Sequence, residues 1–200
     1  MMLIELSEVP GAVLPVAALK SHLRLGSGFA EDGMQDALMA GYLRAAIAVV
    51  EGRINKALLT RRFRLTLDYW RSDSAQALPL APVSDVHSVT LRDRMGAGVQ
   101  VMAGRYRLRA DAHRPHLLAL GGVFPQVPMD GQAEIEFDAG FGPVWDDLPA
   151  DLAQAVLLLA AEYYEMRHEG GMREGAGLPH AVVLLLERWR TVRVLGGGAA

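Results

Sequence analysis

The chain has 200 residues, 51% of them apolar and 22% charged, with a net charge of -3 and no cysteine. This composition suits a globular fold with a substantial core, and it excludes disulfides, thiol catalysis and thiolate metal sites. The mild acidity argues against a protein that grips duplex DNA by its phosphates, and no uninterrupted apolar run reaches the ~18 residues of a membrane span.

The opening MMLIELSEVPGAVLP carries acids where a signal peptide carries bases, so it does not read as one. Residues 15–25, PVAALKSHLRL, predict a short helix with Pro15 at its first position and Val16, Leu19 and Leu23 on one face. After GSGFAEDG, Asp32 and Gln35 form a capping-box-like start. The helix that follows is expected from about Gly33 to Leu59, with Met34, Leu38, Tyr42, Ala45 and Val49 at helical spacing. Gly41 and Gly52 lie inside it, where close helix packing is the plain explanation.

From Arg61 the period becomes two. RFRLTLD alternates, LPLAPV reads as a bend or edge segment, VHSVTLRD as a strand, RMGAG as a turn and VQVM as its hairpin partner. RYRLRAD alternates again, a short strand is expected at Leu117–Leu120, and QAEIEFDAG is the clearest strand, with Ala133, Ile135 and Phe137 inward. Two helices follow, each opened by Leu-Pro: LPADLAQAVLLLAAEYYEMRHE and LPHAVVLLLERWRTVRV. The expected fold is α+β: a four-helix core with a β-rich insertion between the second and third long helices. Its parts are N-terminal helices in 1–60, the insertion in 61–145, C-terminal helices in 146–195, and a disordered tail at 196–200.

Chemistry is sparse. His113 and His116 form an H-x-x-H pair, but the intervening Pro115 opposes presentation from one helical face, so a solvated loop is expected. Asp146 and Asp147 precede Pro149, where they suit a helix N-terminus better than acid/base catalysis. GSG at 26–28 and GAG at 96–98 lack the frame of a phosphate loop. No catalytic, metal or cofactor site is expected. Arg105, Arg107 and Arg109 share a face if they lie on a strand; that face is solvated, paired with the acidic strand 134–138, or turned to a neighbouring subunit or nucleic acid. Glu162, Glu165 and Glu169 line one helix side, a wet face or an acidic stripe toward a neighbouring subunit or a channel. The last helix places Arg188, Arg190 and Arg193 around Trp189, residue types that serve equally as a C-terminal cap or as interface anchors.

Several segments, in order, resemble the head–tail connector (adaptor) proteins of long-tailed double-stranded DNA phages and gene transfer agents. They are VAALKSHLRL at 16–25, LRAAIAVVEGRINKALL at 43–59, RRFRLTLD at 61–68 and LPLAPVSDVHSVTLRD at 78–93, the last similar to an LPxxPVxxVxSVxYxD pattern. YRLRAD at 106–111, IEFDAGFG at 135–142 and the two Leu-Pro helices continue the series. Leu91 stands where an aromatic is common, and the glycine-rich tail is particular to this chain. The resemblance implies a structural protein and not an enzyme, forming a ring, typically twelvefold, in the neck of a particle assembled in the bacterial cytoplasm. Its partners would be the portal protein, a stopper or tail-tube protein, and copies of itself, with no membrane and with DNA passing through the channel unbound. Arg188, Trp189, Arg190, Arg193, Val194 and Leu195 are the implied portal contact; Arg105, Arg107, Arg109, Glu162 and Glu165 are candidates for a contact between neighbours. A stopper or tail-completion protein is the near alternative. A small hydrolase built on His113, His116, Asp146 and Asp147, and a DNA-binding module built on the three arginines, are the distant ones.

Overall fold

The computed structural model describes residues 1–24, 33–166 and 177–190. The chain mixes helix and antiparallel sheet and divides into two compact units, Met1–Val16 with Lys56–Pro149, and Ala17–Asn55 with Ala150–Ala200. The capping-box Asp32 and the tail at 196–200 lie outside the described residues.

The first unit holds eight strands: β1 Met2–Glu5, β2 Arg61–Leu67, β3 Ala75–Ala77, β4 Val83–Arg92, β5 Gly98–Gln100, β6 Tyr106–Arg109, β7 His116–Ala119 and β8 Gln132–Ala139. One sheet runs β1-β2-β8-β4-β5 and the other β3-β7-β6, with every pairing antiparallel. The period of two explains the main sheet. Ala133, Ile135, Phe137 and Ala139 of β8 are buried, and they stand opposite Leu67, Leu65, Phe63 and Arg61 of β2. The rings of Phe63 and Phe137 stack with centroids 5.9 Å apart. Behind them Leu78, Tyr106, Leu117 and Phe124 complete one core. At the end of β8, Gly140 has φ of +144°, and a Cβ there would meet Thr60 N at 2.4 Å, so only glycine lets the two backbones approach.

Two strands are additions to the sequence reading. β1 lacks alternation because MMLIEL is apolar on both sides of the pleat, and all four of its residues are exposed. β3 is three residues long and is pinned by buried Gln76, whose Oε1 accepts from Arg71 N at 3.1 Å and whose Nε2 donates to Ala77 O at 2.9 Å.

The second unit holds α1 Val16–His22, α2 Gly33–Ile54, α3 Ala150–Met166 and α4 His180–Leu186, the last followed by a 3-10 turn at Glu187–Trp189. α3 packs against α2 and α4, and Tyr42 and Tyr164 meet edge to face at 6.3 Å. Lys20 of α1 pairs with Asp36 of α2. The buried stripe of α2 is Met39, Leu43, Ala46, Ile47, Val50 and Ile54. This corrects the expected face, because Leu38 is 46% and Val49 38% exposed. α2 is apolar on nearly every side, so period alone does not select which side is covered. Gly41 and Gly52 have nothing within 4 Å of a built Cβ, so close packing among the described residues is not their reason. α2 also stops earlier than expected. Asn55 adopts φ of 57°, a left-handed stop that asparagine tolerates, and Lys56–Leu59 continue as non-helical chain in which Lys56 and Leu59 make isolated bridges to Ala81 and Gly142.

Candidate functional site

The acidic face of β8 is neutralised by its neighbours. Arg64 Nη2 lies 2.6 Å from Glu136 Oε1, Arg62 Nε 3.1 Å from Asp138 Oδ1, and Arg92 Nε 2.8 Å from Glu134 Oε2. His87 Nε2 adds a contact of 2.7 Å to Asp138 Oδ2. Burial pushes the Asp138 carboxyl up, but the hydrogen bonds and charges of Arg62 and His87 together outweigh it, so the net shift is downward. These pairs consume the acids that might have met the three arginines. Arg107 and Arg109 do share the exposed face of β6, one of the two edge strands of its sheet, whereas Arg105 falls in the preceding 3-10 turn. None of the ion pairs among the described residues includes Arg105, Arg107 or Arg109.

Residues 111–115 form a turn that holds His113, whereas His116 opens β7 and is not in the expected loop. The Asp111 carboxylate accepts from His113 N and Arg114 N, both at 2.7 Å, and these bonds hold it below the usual aspartate range. Buried Lys56 donates to Ala112 O; burial lowers its pKa, with Asp111 pulling the other way. His116 Nδ1 sits 2.7 Å from Arg114 O. Asp147 braces the backbone before α3, the helix that starts at Ala150. Its Oδ2 accepts from Val144 N at 3.1 Å, and it packs against Gly142, where a Cβ would meet the Asp147 Cβ at 2.3 Å. No hydrogen bond or ion pair among the described residues joins either histidine to Asp146 or Asp147, and no group of three potential metal ligands occurs there. No helix among the described residues is long and apolar enough to cross a membrane.

The C-terminal basic segment is organised by a residue that sequence reasoning missed. Asp151, in the first turn of α3, accepts from Trp189 Nε1 at 2.8 Å and from Arg188 Nε at 3.0 Å through the same oxygen. The Arg188 guanidinium lies 4.7 Å from the centre of the Trp189 ring while its side chain stays 69% exposed. Val182 and Leu186 are buried as the apolar stripe requires, Trp189 is half-buried, and Arg190 is exposed. The only advance sign of Asp151 was an acid at a helix start. Arg193, Val194 and Leu195 lie outside the described residues, as does Glu169. Glu162 and Glu165 line a cleft of about 430 Å³ whose floor includes Leu158, Ala161 and Val182. His22 and Met166 also line it, so apolar and titratable side chains share the cleft.

Three solved structures resemble the chain along nearly its whole length. One is the neck of an empty gene transfer agent particle computed with C6 symmetry: 54% identity over 98% of this chain and 99% of that one, with a TM-score of 0.88. Another is the neck of a native particle computed with C12 symmetry, at 51% identity over 98% and 99% of the two chains and a TM-score of 0.84. The third is the virion of a native gene transfer agent particle, at 54% identity over the same shares and a TM-score of 0.85. No family model and no curated protein matches the chain.

Proposed function

The chain belongs to the head–tail connector family of gene transfer agents and long-tailed phages, and from that premise we propose that it is the adaptor ring beneath the capsid portal. It is a structural component of a particle neck and not an enzyme. One observation carries the reading: end-to-end similarity to a chain in a neck computed with C12 symmetry. A rotational neck needs copies that meet through two different surfaces and close, as a heterologous ring does.

In this reading α1–α4 form the helical core of each ring subunit, and residues 61–145 form the lobe inserted between α2 and α3. Arg188 and Trp189, held in place by Asp151, lead through Arg190 into Arg193, Val194 and Leu195, and this end meets the portal. Glu162 and Glu165 on one side, and Arg105, Arg107 and Arg109 on another, face neighbouring neck components. A net charge of -3 suits a channel through which DNA slides without being gripped. The test is electron microscopy of the chain mixed with its portal, followed by pull-downs against portal and tail-side components. Rings on the portal, formed before any tail-side protein joins, are expected. A chain that binds only the tail-side component, and only after another ring is in place, is the stopper instead.

A further inference from the structure

The five-stranded sheet ends in β1 on one side and β5 on the other, and among the described residues neither outer edge pairs with a further strand. Every residue of both is exposed. Around β1 stand Met1, Met2 and Ile4, at 64%, 54% and 40% exposure; around β5 stand Met95, Val99 and Met102, at 83%, 70% and 78%. Such edges invite another strand, and proteins that must stay single blunt them with lysine, proline or a covering loop. Neither β1 (MLIE) nor β5 (GVQ) contains lysine or proline.

The backbone shows how the edges can join. Leu6 N donates to Arg62 O, so by antiparallel alternation Met2 and Ile4 bond toward β2 while Leu3 and Glu5 turn their N–H and C=O outward. On the other edge Val101 N donates to Val89 O and Asp93 N to Ala97 O, so Val99 bonds toward β4 while Gly98 and Gln100 turn outward. Four antiparallel steps separate β1 from β5, so the two strands run the same way. Rotation about the axis of a many-membered ring carries one sheet beside the next without reversing it, so an edge-to-edge contact there is parallel. In a parallel pair the N–H and C=O of one residue bond to the two residues flanking its opposite number. Leu3 opposite Val99 satisfies this: its N–H reaches Gly98 O and its C=O receives Gln100 N–H. The side chains agree as well. Leu3 stands opposite Leu65, Leu65 opposite Ile135, and Val99 opposite Leu91, which shares the inward face with Val89 opposite Ile135. Leu3 and Val99 therefore project from the same face of the sheet, and an apolar row continues from one copy to the next.

We propose that β1 of each copy pairs in parallel with β5 of its neighbour, Leu3 opposite Val99, so that the ring is stitched by backbone hydrogen bonds between sheets. The occupant of each edge is a second copy of this chain because the two edges match each other in direction, face and apolar character, as a head-to-tail contact requires. The proposal rests on the ring reading above.

The chain's lack of cysteine makes the test direct. Leu3→Cys and Val99→Cys are combined in one chain, assembled on the portal and treated with a short bis-maleimide, with each single variant as control. The double variant is expected to give a ladder of covalent multimers rising to the full ring, and the single variants only monomer. Rings visible by electron microscopy but giving no ladder overturn the edge pairing and leave the adaptor reading standing; absence of rings in the parent chain overturns both. Leu3→Pro gives a second readout, since it removes an outward N–H and spares the bonds to β2. It is expected to keep the parent's circular dichroism and melting behaviour and lose the ring. A folded Leu3→Pro variant that assembles normally, or that keeps its ring and loses only another neck component, refutes the pairing.

Discussion

On the outer face of β8 each charged side chain has a partner from an adjoining strand, whereas α2 turns Leu38 and Val49 outward beside Gly41 and Gly52. The sheet face is saturated. Anything docking there must first break Arg64–Glu136, Arg62–Asp138 or Arg92–Glu134. The helix has more apolar surface than its described neighbours cover, and Leu38 and Val49 stay exposed. Apolar character in the helical unit is therefore a poor guide to what a residue contributes, and burial decides instead. In β8, pattern and burial coincide.

The sharpest way to break that contrast is to truncate across it. Phe137→Ala in β8 is expected to destabilise by about 3–5 kcal/mol and Leu43→Ala in α2 by about 2–5 kcal/mol, both side chains being fully buried. Leu38→Ala, one position round the helix from Met39, is expected to stay within about 0.5 kcal/mol. Denaturant unfolding of the three variants checks this, and a large loss at Leu38 would mean that the exposed side of α2 is covered in the isolated chain. Next in size is Asp151→Ala, which leaves the Trp189 indole and Arg188 without their shared acceptor. A loss of about 1–3 kcal/mol is expected, with faster amide exchange confined to residues 180–190.

Acid sharpens the comparison from the other side. The carboxyl of Asp138 is lowered in the folded chain, so the unfolded state binds its proton first as pH falls. Its contribution is present above the ordinary aspartate value, about pH 4, and is lost as pH drops through the folded value. Asp138→Asn should flatten the fall in melting temperature over that range, and an unchanged slope would show that the ladder adds no acid sensitivity. The smallest effect belongs to a double-mutant cycle on Arg64 and Glu136, a partly exposed pair expected to couple by about 0.2–1 kcal/mol and to weaken with salt.

Local pattern made some elements legible and not others. β8 could be read because Glu134, Glu136 and Asp138 alternate with Ala133, Ile135 and Phe137. β1 could not, because both of its faces are apolar and its pairing partners begin at Phe63, far along the chain. Among the candidate contact residues, Arg107 and Arg109 share the face that alternation assigned them, but Arg105 leaves it because its backbone is already turning. Asp151 was missed because its partner Trp189 lies 38 residues away and no local spacing joins them.

By itself the amino-acid sequence determined where period two gives way to period 3.6, which strands carry a charged face, and, through ordered segments, the family; each of these is written in near neighbours or in their order. The tertiary structure alone decided which side of α2 is covered, which arginine meets which acid, that Asp151 holds Trp189, and that β1 closes one end of a sheet. Those outcomes depend on which residues distant in the chain come to lie beside one another, and a helix or strand apolar on both sides has no preference of its own to record.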